Sequence, residues 1–195
     1  MKAYSSADLL GKEVLYAKSK SSLLTWFDSW LDSRTSEVEL SVSIPHTVYL
    51  RTRLICDYIQ SVYESPMNTA QFLNILYVDF IHRNMKRHNP KKIYEELTQY
   101  DIASDTLEIH DPRQQNVVTF RKKYQNSVVI NYSISKKNIK RGEMFLAELH
   151  ELIGKHYTVE ALLSTLWVNF IQSFSDGNNE KAVDKLLKLA AKNFQ

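Results

Sequence analysis

The fold of this chain is decided by two nine-residue stretches, EVELSVSIP at residues 37–45 and SVVINYSIS at residues 127–135. In each stretch apolar side chains alternate with mostly polar ones, which is the pattern of a β-strand with one buried face. The segments 37–81 and 127–171, offset by 90 positions, align without a gap and share nine identical residues. Because one strand pattern and two helical patterns stay in register, we interpret the alignment as an internal repeat.

Each unit of the repeat is predicted to continue from its strand into two helices. Apolar residues recur at helical spacing after each strand; they are Val48, Leu50, Leu54, Ile55, Ile59 and Val62 in the first unit and Ile139, Met144, Phe145, Leu149 and Leu152 in the second. Ser65-Pro66 and Gly154 then interrupt the two helices. Asn68 and Thr158 follow as N-cap candidates, because their side-chain oxygens can accept hydrogen bonds from the first N–H groups of a second helix.

A single strand with two helices cannot cover its own apolar faces, and its unpaired edge needs a partner. We therefore predict that the two strands pair as an antiparallel ribbon with four helices interlocked beneath it; the pattern leaves open whether the ribbon forms within one chain or between two. This arrangement resembles the ribbon-helix-helix DNA-binding proteins of the Arc and methionine repressor type, and its tandem form in one chain resembles accessory proteins of conjugative-plasmid relaxosomes. The first helix, over residues 45–65, is expected to be more than a turn longer than in that family.

The predicted fold class is mostly α with a short two-stranded antiparallel β-ribbon, a tandem ribbon-helix-helix with additional N-terminal, linker and C-terminal elements. Residues 91–100 are expected to be helical, and residues 107–110 and 117–123 can form a hairpin. The N-terminal part carries an apolar stripe of Leu23, Leu24, Phe27, Trp30 and Leu31, and the C-terminal helix carries Lys181, Lys185, Lys188 and Lys192 on one face. The predicted parts are an N-terminal helical extension (1–36), the first ribbon-helix-helix repeat (37–89), a linker (90–126), the second repeat (127–175) and a C-terminal helix (176–195).

Only side chains opposite the core face of such a ribbon can reach base edges in a major groove. By alternation these are Glu39, Ser41 and Ser43 on one strand and Val129, Asn131 and Ser133 on the other. Asn131 suits adenine, Glu39 a cytosine amino group and Val129 a thymine methyl group. Because none of the six is Arg, the usual guanine reader, we expect a target with A·T character; because the strands differ, we expect it to be non-palindromic.

Phosphate contacts are expected at helix N-termini, where free N–H groups and the helix dipole favour an anion, and at basic side chains near the starts of the first helices. The expected contacts are His46, Arg51, Asn68, Thr69, Lys136, Lys137, Lys140, Arg141 and Thr158. From residue 121 to residue 141 there are seven Lys or Arg and no Asp or Glu. The positive charge is therefore concentrated on the second unit.

Composition excludes several other classes of protein. The 195 residues carry 25 Lys+Arg against 22 Asp+Glu, a mild net charge of +3, and 44% hydrophobic residues, which is too apolar for a disordered tail. One Cys cannot form an intrachain disulfide, and four isolated glycines do not form a phosphate-cradling loop. With no signal-peptide h-region and no spanning apolar window, we expect a cytoplasmic protein without a membrane partner.

The sequence shows no catalytic constellation, so we expect no enzyme, cofactor or metal. His150 and His156 are six positions apart rather than the four that place two His on one helix face. Cys56 lies among apolar helix residues and is interpreted as a buried small hydrophobe.

The expected function is sequence-specific binding of double-stranded DNA. The resemblance implies either a relaxosome accessory factor, with a relaxase or another plasmid protein as a possible partner, or a transcriptional repressor; copies bound at adjacent sites are a further possibility. The alternative is a protein-interaction module, an antitoxin or adaptor, whose ribbon serves only for dimerisation.

Overall fold

The computed structural model describes residues 2–18, 36–64, 66–87, 89–98, 106–110, 117–121, 126–175, 183–184 and 186–189. The predicted apolar stripe of residues 23–31 lies outside them. The elements in chain order are α1 (Leu9–Lys18), β1 (Glu37–Pro45), α2 (His46–Tyr63), α3 (Thr69–Lys86), α4 (Pro90–Thr98), β2 (Thr106–His110), β3 (Val117–Arg121), β4 (Ser127–Ser135), α5 (Lys136–Ile153) and α6 (Val159–Ser175).

The internal repeat is visible in the elements themselves. β4, α5 and α6 each begin 90 residues after β1, α2 and α3. β1 and β4 pair antiparallel over their full nine residues. The chain is thus mostly helical with a two-stranded antiparallel ribbon, in the tandem ribbon-helix-helix arrangement, and the predicted fold class is confirmed.

The ribbon has one face toward the helices and one toward solvent, as the alternation predicts. Leu40, Val42 and Ile44 on β1 are buried, as are Tyr132 and Ile134 on β4. The Tyr132 hydroxyl donates to Asn74 Oδ1 of α3 at 2.9 Å, and Ser164 Oγ of α6 donates to the carbonyl of Ser43 at 2.8 Å. Both second helices therefore hold the ribbon in place from below. Burial, with Glu37 as a smaller cause, raises the pKa of Tyr132.

The first helices have 18 residues each in both units. α5 ends at Gly154, whose φ of 76° lies in the left-handed region that glycine favours. α2 ends at Glu64, which adopts a similar left-handed conformation with a φ of 51°.

The buried face of these helices differs from the predicted apolar stripe. The helix prediction is confirmed, but Leu50, Leu54, Val62, Met144 and Leu152 are exposed. Residues at the true helical period from Val48 form the buried side; on α2 they are Val48, Thr52, Ile55, Cys56 and Ile59. The predicted stripe includes buried residues of both helices but misses Thr52, Gly142 and Glu143, because it counted apolar side chains only. Its buried members are Val48, Ile55, Ile59, Ile139, Phe145 and Leu149.

The two units interlock through contacts at equivalent positions. Trp167 of α6 donates its indole N–H to Thr52 Oγ1 of α2 at 2.6 Å. Ninety residues earlier, Tyr77 of α3 donates its hydroxyl to the carbonyl of Asn138 in α5 at 3.0 Å. Both rings are fully buried. Each second helix thus packs against and hydrogen-bonds to the first helix of the other unit, so neither unit encloses its core alone.

The remaining described helices pack against this core, and β2 and β3 form a separate two-stranded sheet. α4 confirms the expected linker helix and buries Ile93 and Leu97. β2 and β3 confirm the hairpin and pair antiparallel from Thr106 opposite Arg121. Residues 183–184 and 186–189 are helical, as expected for the C-terminal part. Among the four lysines predicted on that helix, Lys188 is exposed and the other three lie outside the described residues.

Two further observations concern chemistry and location. Cys56 is buried, as expected, and burial together with the neighbouring Asp57 raises the pKa of its thiol to about 11. Within the described residues, no helix has the length and apolar character needed to cross a bilayer.

Candidate nucleic-acid interface

The outer face of the β1–β4 ribbon presents all six side chains predicted to read bases. Each of them is exposed, and the strand register places them as three directly opposed pairs. The pairs, from one end of the ribbon to the other, are Glu39 with Ser133, Ser41 with Asn131, and Ser43 with Val129. The structure therefore brings the predicted residues together on one surface.

The middle pair lies at the centre of the ribbon and is joined by a hydrogen bond. Ser41 Oγ donates to Asn131 Oδ1 at 3.0 Å. This bond uses one lone pair of the amide oxygen, which leaves that oxygen a second lone pair and leaves the NH₂ group its two donor hydrogens. An adenine edge needs one acceptor and one donor from an amide. The Ser41 contact thus orients Asn131 without consuming the groups that such recognition requires.

The two ends of the outer face differ in charge. At one end Ser133 Oγ donates to Glu37 Oε2 at 2.7 Å, beside the exposed carboxylate of Glu39. At the other end Val129 is exposed, opposite Ser43. Glu37 was missed by the sequence prediction, although the same alternation carried two positions further indicates its outward direction. The face is therefore acidic at one end and apolar at the other.

The predicted basic contacts lie where the strands pass into the first helices. Lys137 and Lys140 of α5 are exposed, and Lys136 and Arg141 are partly exposed. Because β4 runs opposite to β1, α5 begins at the acidic end of the ribbon; the backbone N–H of Lys136 donates to the carbonyl of Ser36 at 2.9 Å.

α2 begins at the other end of the ribbon, where His46 and Arg51 are exposed. The backbone N–H of His46 donates there to the carbonyl of Asn126 at 3.0 Å. Positive or protonatable side chains thus flank both ends of the reading face, with more charge beside the acidic one.

Several of the basic residues, among them Arg51 and Lys136, already have interactions within the chain. Lys140 Nζ forms an ion pair with Glu13 of α1. Arg141 Nη1 lies 3.5 Å from Asn138 Oδ1, a long hydrogen bond. Phosphate binding by Lys140 would require it to exchange this ion pair, so Lys137 is the simplest phosphate contact of the set.

The second helices are capped as predicted. Asn68 forms a reciprocal capping box with Gln71: Gln71 N donates to Asn68 Oδ1 at 2.8 Å and Asn68 N donates to Gln71 Oε1 at 2.9 Å. Thr69 begins α3 directly after this cap. Thr158 Oγ1 accepts from Ala161 N at 3.3 Å. Both N-cap predictions are confirmed.

The start of α6 is covered by the chain's own N-terminal segment. Val159 N donates to the carbonyl of Tyr4 at 2.7 Å, and Ser6 N donates to Glu160 Oε1 at 2.7 Å. No residue that the structure describes forms such bonds with the start of α3. Phosphate binding at Thr158 would therefore compete with the distant N-terminal segment, whereas phosphate binding at Asn68 and Thr69 would compete with the local Asn68–Gln71 capping box.

The histidines near this segment have structural partners. His156 Nε2 lies 2.9 Å from the carbonyl of Ala3, and its ring packs at 5.1 Å from that of Tyr4. His150 lies 5.7 Å from His156, ring to ring. Across the described part of the chain, no group of three or more His, Cys, Asp or Glu is placed to hold a metal ion.

Comparison with protein-family models, with curated proteins and with solved structures finds no match.

Proposed function

We propose that this chain is a sequence-specific double-stranded DNA-binding protein that inserts its β1–β4 ribbon into the major groove. The observation that carries the proposal is the exposed face of three opposed side-chain pairs, centred on Ser41 and Asn131, on a ribbon formed within one chain. A two-stranded ribbon fits the major groove, which is about 12 Å wide and shows a distinct pattern for each base pair.

In the proposed mechanism, base contacts provide sequence specificity and phosphate contacts position the protein on the duplex. The ribbon side chains read base edges, with Asn131 on adenine, Glu39 on a cytosine amino group and Val129 on a thymine methyl group. Lys137 and the start of α3 at Asn68 and Thr69 hold phosphates on either side. Because one end of the face is acidic and the other apolar, the DNA binds in one orientation.

The setting we propose is the cytoplasm, with the protein either an accessory factor at a plasmid transfer origin, beside a relaxase, or a repressor of transcription. An interaction module that uses its ribbon only for assembly is the competing proposal. The two differ in their response to salt: DNA affinity that falls steeply as salt rises supports phosphate binding, whereas no duplex binding at low salt supports the module.

Two single substitutions separate the proposed roles. Asn131→Ala is expected to weaken binding to the preferred duplex by about 1–3 kcal/mol and to leave random duplex nearly unaffected, because it removes a base contact. Lys137→Ala is expected to weaken both duplexes alike and to lower the salt slope by about one, because it removes a phosphate contact.

Fluorescence anisotropy titrations with both duplexes at several salt concentrations measure these effects. Lys91→Ala, an exposed lysine of the linker helix α4, is the matched control and should change neither affinity. Equal losses from Asn131→Ala and Lys137→Ala on both duplexes would contradict the assigned roles.

A further inference from the structure

The solvent side of α2 carries a continuous apolar stripe at four-residue spacing. Its members are Leu50, Leu54, Tyr58 and Val62, which are 45%, 68%, 51% and 53% exposed. Tyr63, five residues after Tyr58, is also exposed, and its ring lies 6.5 Å from that of Tyr58. Side chains spaced by four lie along one face of a helix. An apolar surface of this kind on the solvent-exposed side of a helix commonly marks a contact with another molecule.

In the second unit a helix covers one edge of the equivalent face, while Met144 and Leu152 on that face are exposed. α1 packs there on α5: Glu13 pairs with Lys140, and the buried Glu143 accepts from the backbone N–H groups of Leu9 and Leu10. The counterparts of Lys140 and Glu143 on α2, 90 residues earlier, are Leu50 and Arg53, and both are exposed. The internal symmetry thus indicates that the edge of a first helix that carries Leu50 and Arg53 can pack against another helix.

One edge of the stripe has charges arranged for pairing with its own copy. His46, Arg53, Asp57 and Glu64 are all exposed and lie within about 40° of each other around the helix axis. Along the chain the two protonatable or positive side chains come first and the two negative ones last. His46 and Glu64 are equally distant from position 55, and so are Arg53 and Asp57. A second α2 in the antiparallel direction, reversed about position 55, would oppose each basic residue to an acidic one.

The same reversal interleaves the apolar side chains. Along the helix axis, Leu54 of the second copy lies between Leu54 and Tyr58 of the first copy. Leu50 of the second copy lies between Tyr58 and Val62 of the first. Ridges of one helix then fill grooves of the other, which is how helices pack closely. A two-fold axis makes the contact self-complementary, as an isologous interface requires.

We propose that the exposed face of α2 binds a second copy of this chain, α2 against α2 and antiparallel, with Arg53 of each copy opposite Asp57 of the other. The contact lies outside the described ribbon face and does not depend on DNA. It yields a dimer of tandem units that carries two ribbons.

A charge-swap series in sedimentation equilibrium tests the contact with the full chain and without DNA. The unmodified protein is expected to show a weight-average mass that rises with concentration from 22.8 kDa toward twice that value. The two-fold axis creates two equivalent contacts between positions 53 and 57, and in Arg53→Glu or Asp57→Arg like charges face each other at both. Each single variant should therefore raise the dimer dissociation constant by at least about fivefold. The double variant R53E/D57R restores opposite charges and should recover most of the affinity.

Leu54→Lys should weaken the dimer by at least about tenfold, because it places two positive charges at the centre of the apolar contact. Leu15→Lys, which alters an exposed leucine of α1, is the matched control and should leave the dimer unchanged. Thermal unfolding of each variant verifies that the fold is intact.

A mass of 22.8 kDa throughout the micromolar range would overturn the proposal and assign the face to another segment or to a different protein. A dimer that persists in Leu54→Lys, or a double variant no better than the single swaps, would overturn it as well. Loss of DNA binding would leave this result unaffected, so the two proposals fail separately.

Discussion

Gly142→Ala is expected to destabilise the protein by about 2–3 kcal/mol, although alanine is the better helix former. A Cβ added at this position in α5 would lie 2.0 Å from the hydroxyl oxygen of Tyr77. Tyr77 is fully buried and its hydroxyl donates to the carbonyl of Asn138. Moving the ring away would therefore disrupt its packing and break this hydrogen bond. Overpacking of this kind typically costs about 1–3 kcal/mol, and the loss of the hydrogen bond adds about 1 kcal/mol. These costs exceed the gain of about 0.5–1 kcal/mol from helix propensity.

The cause can be isolated with a second substitution. Tyr77→Phe removes the clashing oxygen, so the next nearest atom to the new Cβ is the ring carbon at 3.2 Å, which requires a shift of only a few tenths of an ångström. Urea unfolding of both single variants and of G142A/Y77F gives the coupling between the sites. The destabilisation of the double variant is expected to be smaller, by at least about 1 kcal/mol, than the sum of the destabilisations of the two single variants. Strict additivity would contradict the proposed clash.

Glu143→Ala is expected to cost at least about 3–5 kcal/mol and to detach the N-terminal segment. The Glu143 carboxylate is fully buried and accepts from Ser5 Oγ at 2.5 Å, Leu9 N at 3.1 Å and Leu10 N at 2.7 Å. The N–H groups and the dipole at the start of α1 compensate its charge. Alanine leaves those donors without their acceptor, and each hydrogen bond to a charged group contributes about 1.5–3 kcal/mol.

The detachment has its own readout. Hydrogen exchange at the amides of Leu9 and Leu10 should become fast in Glu143→Ala, because these amides lose their acceptor. Glu95→Ala, an exposed glutamate of α4, is the matched control and should stay within about 0.5 kcal/mol of the unmodified protein. Glu143 would not anchor the segment if hydrogen exchange at α1 stayed unchanged and Glu143→Ala lost no more stability than Glu95→Ala.

The ribbon and the repeat were predictable from the sequence because their signals are local. A period of two assigns every strand side chain to a face, and the six reading residues all lie on the outer one. The caps at Asn68 and Thr158 were predictable for the same reason, since a cap acts within three residues of itself. The roles of the six side chains on DNA remain predictions.

The parts that the sequence did not indicate depend on contacts between distant residues. Thr52 is buried because Trp167 reaches it, and Glu143 is buried because the N-terminal segment surrounds it. A count of apolar residues along a helix detects neither partner. For that reason the predicted stripe included Leu54, which is exposed, and the cover over the start of α6 by Tyr4 and Ser6 was not foreseen.

Selection of binding sites from random duplex DNA by the full chain is a direct test of base reading by the ribbon. We expect enrichment of a common subsite whose core is itself non-palindromic, because the Glu39 end and the Val129 end of the ribbon differ. Two copies joined through α2 could repeat that subsite but would not make its core symmetric. No enrichment at low salt, or a core that is itself palindromic, would contradict DNA reading by a ribbon formed within one chain.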